Sequence, residues 1–169
     1  PHVQTLAAPR MEGRGTQLGK QLAREYLETQ YSELGLKPLF ADASYVQVIP
    51  GKPTQEGRPT VRGHNIGAWL PGSDPRLRDE YIIISAHYDH LGIRHGRLYP
   101  GADDNASSMA MVLEVARRMT KQPNPPRRSV VFLNFDLEEN LLWGSRWFVA
   151  HPPWPIERVK LFITADLLG

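Results

Sequence analysis

The chain has 169 residues, 41% of them hydrophobic and 22% charged, which is enough apolar material for one globular domain with a real core. Its 20 basic and 18 acidic residues leave a net charge of +2, which points to neither nucleic acid nor a membrane surface, and no apolar run approaches a membrane span. With no cysteine there are no disulfides, thiolate ligands or cysteine nucleophiles, so any metal must be held by His, Asp and Glu.

The first clear element is a helix. Thr16 is its expected cap, Leu18, Leu22, Tyr26, Leu27, Tyr31 and Leu34 recur at helical spacing, and Gly35 ends it. "SYVQVIP" reads as a short strand, and "GKPTQEGRPTVRG" as a hairpin or loop too short for an inserted domain. "HNIGAWLP" is the next strand and "GSDPRLRDE" a turn. "YIIISAH" is a continuous apolar run, as in a strand buried on both faces. A second helix is expected from about Asn105 to Met119, with Met109, Val112, Leu113 and Ala116 as its apolar face. "SVVFLNF" is another buried strand, "LLWGSRWFVAH" a helix and "VKLFITADLLG" a final strand. Strands alternating with helices predict an α/β domain, with helices on both faces of a largely parallel sheet.

The polar residues gather at strand ends, where open α/β sheets bind ligands. "YIIISAHYDH" ends with His87 and Asp89. "YPGADDNAS" places Asp103, Asp104 and Asn105 at a helix start. "FLNFDLEEN" ends with Glu138 and Glu139, and "LFITADLLG" with Asp166. Each has an ordinary reading alone: a polar loop, acids at the positive end of a helix, a solvated turn. Together, carboxylates converging on one sheet edge repel and need a cation. Carboxylate oxygens with one or two imidazoles suit Zn, Mn or Co. A carboxylate beside a histidine commonly holds the ring so that its other nitrogen can bind metal.

These residues carry a resemblance. "SAHYDHLG", "YPGADDNASSMAMVLEVAR", "FDLEENLLWGSRWFVAHPP" and "ITADLLG" resemble successive motifs of the di-zinc aminopeptidases, family twenty-eight of the metallopeptidases. Upstream, "MEGRGTQLGKQLAREYLETQYSELGL" and "HNIGAWLPGSDP" are similar to that family too, so the likeness covers nearly the whole chain. It implies a three-layer αβα, zinc-dependent exopeptidase-like fold around a mixed, largely parallel sheet, with residues 1–169 as one partial catalytic domain. It implies that His87 binds a first metal, with Asp89 orienting its ring. Asp104 bridges two metals and precedes a cis peptide at Asn105. Glu139 binds the second metal, Asp166 the first, and Glu138 is the general base for a water lying between them. The implied function is a zinc aminopeptidase acting on peptide substrates, with no nucleic-acid or membrane partner.

The chain also departs from the pattern. The family's last ligand, a His on the second metal, falls well after the strand that carries Asp166, and this chain stops at Gly169. The expectation is therefore two zinc ions in a longer parent and as few as one here, with weak or no activity alone. Uncovered apolar surface on the C-terminal side would favour self-association. His90 and His95 read as loop residues, His64 as a strand-edge polar group and His151 as a helix-end residue. None is the expected stand-in. Ser108 replaces a common Gly, and Trp143 stands where a smaller residue is common and could bulk out a pocket wall. With Trp147 and Phe148 it otherwise reads as core. "EGRGTQLGK" mimics a phosphate loop, but its glycines are wrongly spaced and no buried strand precedes it. Two rivals are a glutaminyl cyclase-like acyltransferase with one zinc and a non-catalytic, receptor-like relative. The start at Pro1 and the lack of cysteine are compatible with a secreted or periplasmic protein that has lost a leader.

Overall fold

The computed structural model describes residues 1–169. A short helix α1 (His2–Leu6) and a 3-10 stretch (Pro9–Arg14) lead into helix α2 (Gln17–Glu33). The Thr16 hydroxyl accepts from the Gly19 amide at 3.0 Å, satisfying one of the orphan donors of the first turn. Gly35, just past the end, takes φ +68°, a left-handed conformation that suits glycine. The buried stripe of α2 is Gly19, Ala23, Leu27 and Tyr31. Leu18, expected on the apolar face, is about half exposed. At Gly19 a Cβ would lie 2.2 Å from the Met11 carbonyl oxygen, so the 3-10 stretch packs directly on the helix backbone and Leu18 is left facing solvent.

Strands β1 (Lys37–Pro38), β2 (Val46–Pro50), β3 (Val61–Leu70) and β4 (Tyr81–His87) come next. A small hairpin, β5 (Gly92–Arg94) and β6 (Arg97–Tyr99), fills a stretch with no strand signal of its own. Helix α3 (Ser108–Thr120) begins later than expected, because Ala102–Ser107 forms a wide π-type turn. Strand β7 (Ser129–Phe135), helix α4 (Trp143–Ala150) and strand β8 (Val159–Thr164) complete the chain. No helix is long and apolar enough to cross a membrane.

The main sheet is mixed, in the order β1-β3-β7-β4-β8, with β2 also on β3. Its β7-β4-β8 half is parallel, and β1, β2 and β7 pair antiparallel with β3. The segment between β2 and β3 is a hairpin connection, closed by Gly51 N–H donating to the Thr60 carbonyl at 2.9 Å. The apolar run of β7 is buried at every position, and its alternation sorts residues to two sides. Val130 and Phe132 join Leu27, Tyr31, Met109, Val112 and Leu113 under α2 and α3, whereas Val131, Leu133 and Phe135 pack with Leu39, Ile83 and Phe148 under α4. This is the three-layer αβα arrangement. β8 closes one edge, paired only with β4, and leaves Leu161, Phe162 and Ile163 exposed.

Parallel pairing aligns the strand ends. His87 is level with Phe135, and Ser85 with both Leu133 and Thr164. The carboxyl ends of β4, β7 and β8 therefore finish at one edge, and each chain segment leaving that edge carries acidic or imidazole groups.

Candidate metal centre

His87 is the last residue of β4 and is nearly fully buried. Its Nε2 lies 3.2 Å from Asp104 Oδ1 and 3.4 Å from Asp166 Oδ1. Two donors about 2.1 Å from one tetrahedral ion stand about 3.4 Å apart, so these three residues have the spacing of metal ligands. Nε2 is buried and makes no hydrogen bond, an orphaned group of the kind a bound cation satisfies. Asp104 sits in the turn before α3, where the Asp104–Asn105 peptide is cis. Asn105 is buried and donates through Nδ2 to the Ala165 carbonyl at 3.1 Å, tying that turn to the segment that carries Asp166.

Asp89 has two roles where the sequence suggested one. His87 Nδ1 is 3.0 Å from the Asp89 backbone carbonyl, while the Asp89 carboxylate stands off at 3.8 Å. The ring is thus oriented mainly by the main chain. The carboxylate instead accepts from the Glu138 amide at 2.9 Å and the Glu139 amide at 3.3 Å, holding the glutamate loop against β4. Asp136 secures the same loop, accepting from Leu137 N–H at 2.8 Å and from Lys20 Nζ at 2.6 Å. Leu137 adopts φ +59°, unfavourable for a branched side chain, so these anchors offset real backbone strain.

The surrounding charge shifts two groups. Burial opposes a charge on His87, but the adjacent Asp89 and then Glu138 outweigh it and raise its pKa to about 9. Burial raises the pKa of Glu138. His87 opposes that shift, and Asp89, Glu139 and Asp166 add to it. Glu138 lines a cleft of about 240 Å³ with His87 and Asp166, and the apolar walls are Phe135, Leu142 and Phe162. Trp143 is not in that wall. It lies under the Arg62 guanidinium, 4.2 Å from the ring centre, and Trp147 stacks on His151 at 3.7 Å, so of the three aromatics expected in the core only Phe148 is fully buried.

Two residues play larger parts than their sequence context suggested. His90, read as a loop residue, turns inward: its Nδ1 is 2.9 Å from Glu139 Oε1 and 3.5 Å from Asp104 Oδ2. The chain leaves β4 at His87, so strand alternation no longer governs where residue 90 points. His95 and His151 are exposed, in keeping with their sequence context. Arg14, in the glycine-rich stretch that mimics a phosphate loop, is completely buried. Its guanidinium donates to the carbonyls of Tyr88 (2.7 Å), Leu6 (2.6 Å), Pro100 (2.9 Å) and Gly101 (2.7 Å). It thereby joins the segment after β4 to the turn carrying Asp104. The neighbouring glycines serve close packing: a Cβ on Gly13 would lie 2.0 Å from the Tyr99 carbonyl oxygen, and one on Gly15 2.5 Å from Gly92 N.

The structure thus brings His87, Asp104 and Asp166 together, sets Glu139 beside Asp104 through His90, and leaves Glu138 next to them on the cleft. Imidazole nitrogens and carboxylate oxygens in this number fit zinc.

A model of the family described as Peptidase family M28 matches residues 65–169. Over 88 residues the chain is 36% identical to endoplasmic reticulum metallopeptidase 1 of Mus musculus, a stretch covering 52% of this chain and 9% of that protein. Over 124 residues it is 30% identical to glutaminyl-peptide cyclotransferase of Gloydius blomhoffii, covering 55% of this chain and 34% of the relative. Among solved structures it is similar to an aminopeptidase from Aneurinibacillus sp. strain AM-1, with 30% identity, a TM-score of 0.54, and 66% of this chain and 26% of that one covered. In fold it is similar to a leucine aminopeptidase precursor from Bacteroides thetaiotaomicron, with 18% identity, a TM-score of 0.70, and 99% of this chain and 62% of that one covered. The chain spans less than two thirds of each of these proteins.

Proposed function

This chain belongs to peptidase family M28, and from that premise we propose that it serves a zinc aminopeptidase, releasing N-terminal residues from peptides at the edge formed by β4, β7 and β8. Glu138 carries this reading. It stands beside the His87, Asp104 and Asp166 cluster on the same cleft, yet is not part of the cluster, and burial raises its pKa toward the range useful for proton transfer. When bound, zinc supplies Lewis-acid polarisation and makes water more acidic. His87, Asp104 and Asp166 would hold it. Glu138 takes the proton of the attacking water and returns it to the leaving amine. Asp89 holds Glu138 in reach through its amide, so the base is set by the backbone and not by a flexible loop. The cleft has room for one apolar side chain between Phe135, Leu142 and Phe162.

The likeness to a cyclotransferase keeps one rival in view. Two clusters of possible ligands that share Asp104 favour the peptidase. The test is hydrolysis of leucine p-nitroanilide by zinc-loaded protein, with the N-acetylated substrate and a glutaminyl peptide as controls. The expected result is cleavage only of the free-amine anilide, with Glu138→Gln lowering kcat by about 10²–10⁴ and leaving zinc content unchanged. Ammonia release from the glutaminyl peptide, or full activity of E138Q, would overturn the reading.

A further inference from the structure

We propose that a basic cleft between α2 and the start of β3 binds a doubly charged oxyanion of the phosphate class, free or as a phosphate monoester. The cleft has a volume of about 510 Å³ and is lined by Lys20 and Arg24 from α2, Arg62 and His64 from β3, and Asp136 just past β7. It thus gathers three fixed cations around one carboxylate, and that carboxylate is already spent. Asp136 is buried, and its Oδ1 accepts from Leu137 N–H at 2.8 Å and from Lys20 Nζ at 2.6 Å. Its Oδ2 accepts from the His64 amide at 3.0 Å. Arg24 has only Glu28 as a carboxylate neighbour, at 3.6 Å, longer than a hydrogen bond. Arg62 lies over the Trp143 ring, 4.2 Å from its centre, and pairs with no carboxylate.

The two walls present these groups together. Lys20 and Arg24 are four apart on a helix, and Arg62 and His64 two apart on a strand, so each pair shares a face. Arg24 Nη1 donates to His64 Nδ1 at 3.1 Å. A guanidinium cannot accept, so the neutral ring carries its proton on Nε2, which is a further donor. Burial lowers the His64 pKa, and Arg24 and then Lys20 add to that shift against the opposing Asp136, so the imidazole registers the positive field of the cleft. A Cβ on Gly63 would lie 2.6 Å from Asp136 Oδ2, so glycine lets that carboxylate sit tight against β3. Holding Asp136 takes only Lys20, and it gives Arg24 and Arg62 no reason to converge on the same space. A dianion offsets the two positive charges left over, and guanidinium forks with an ammonium match phosphate oxygens. The donors are side chains, unlike those of a phosphate loop. Because β3 runs antiparallel to β7, this cleft lies at the same sheet edge as the glutamate loop.

The test is independent of the peptidase reading. Inorganic phosphate is titrated into the intact chain above its second ionisation, at constant ionic strength, while NMR follows the histidine side-chain nitrogens. The expected result is saturable movement of the His64 signals at millimolar phosphate or below, with the His64 pKa raised when phosphate is bound. Arg24→Gln and Arg62→Gln should each weaken binding about tenfold or more, the usual worth of a hydrogen bond to a charged group. Arg76→Gln, the same loss of charge on the exposed turn between β3 and β4 at the opposite edge, should leave it unchanged. Parallel titrations with phosphoserine and with a phosphoserine peptide separate the sources. Tighter binding of the free anions assigns a small ligand, and tighter binding of the peptide a phosphorylated chain. Unmoved His64 signals would overturn the proposal, as would movement confined to His87. Equal weakening in R76Q would also overturn it, since attraction would then follow net charge alone. The titration of the unsubstituted chain stands without any variant, so a misfolded R24Q does not blunt the test.

Discussion

Replacing Arg14 with Met should unsettle the candidate site from a distance. Arg14 makes four hydrogen bonds of 2.6–2.9 Å to main-chain carbonyls, and those partners lie 8 to 87 residues away in sequence. Burial lowers its pKa, an effect the nearby Asp89 and Asp104 partly offset. The value is about 10, so the group is still cationic at pH 7. Met fills the stem's volume and relieves the burial of a charge, but donates to nothing. The Gly101 carbonyl keeps the Ala106 amide at 3.2 Å. The carbonyls of Leu6, Tyr88 and Pro100 lose the guanidinium, at about 1–3 kcal/mol each. Taking the low end, because the charge is no longer buried, gives about 3 kcal/mol. For a chain of this size that is a fall in Tm of about 6–12 °C. Arg14→Lys keeps the charge but not the fork, so it should recover less than half of the loss. Thermal melts of the metal-free protein read the stability. Zinc titration reads the loosening of the Asp104 turn and should show weaker binding in R14M. A melt within about 2 °C of the parent, with unchanged zinc affinity, would refute the reasoning.

The other predictions rest on single contacts. His87 has its pKa raised to about 9, above its ordinary 6.5. Its charge therefore stabilises the metal-free protein fully below about pH 6.5, and that contribution is lost as pH rises through about 9. Zinc must displace this proton, so apparent affinity at the His87 site should climb about tenfold per pH unit between 7 and 9, with close to one proton released from His87 at pH 7. Calorimetry in buffers of different ionisation enthalpy checks this, and pH-independent binding would contradict it. Asp89→Asn exchanges one accepting oxygen for a donor that faces an amide, so it should cost about 1–3 kcal/mol and bring the His87 pKa back toward its ordinary value by NMR titration. The β8 edge, with Leu161 and Ile163 exposed, should pair with a second copy of the chain. Sedimentation should show association that rises with concentration and is lost in L161K/I163K, and a monomer at all concentrations would count against it.

How far the site is legible in the sequence depends on what each residue answers to. β4 and β7 are plain in "YIIISAH" and "SVVFLNF" because strands buried in a covered sheet are almost wholly apolar, and the polar residues just beyond them are then conspicuous. His87, Glu138 and Glu139 stand out in this way, whereas Asp104 is marked by the acidic start of a helix and Asp166 by the end of the largely exposed β8. Parallel pairing, which the alternation with helices implies, is what puts them together. Arg14 leaves no such trace. Its partners are carbonyls of distant turns, and a carbonyl has no sequence identity. The crowded glycines at 13, 15 and 19 are the only local sign, and they mark close packing. His90 escapes notice for a different reason. Period-two reasoning holds along a strand, and the strand ends three residues before it.

The adjacent glutamates raise the sharpest electrostatic problem in the chain, and their surroundings answer it. Asp89, Asp104, Glu138, Glu139 and Asp166 bring five carboxylates to one sheet edge, and Arg14 is a buried cation near enough to Asp89 and Asp104 to feel their charge. In the metal-free protein His87 takes up a proton, which still leaves a net charge of about −3 in a poorly solvated corner. Backbone amides share part of that load, since Asp89 spends both oxygens on the Glu138 and Glu139 amides. Two divalent ions in place of the His87 proton would bring the cluster to about zero (five negative charges against Arg14 and four from the metals). One ion would leave about −2. The same edge that pushes the Glu138 pKa upward therefore carries excess negative charge that cations would balance, and the two groups of possible ligands that share Asp104 lie where that charge is concentrated.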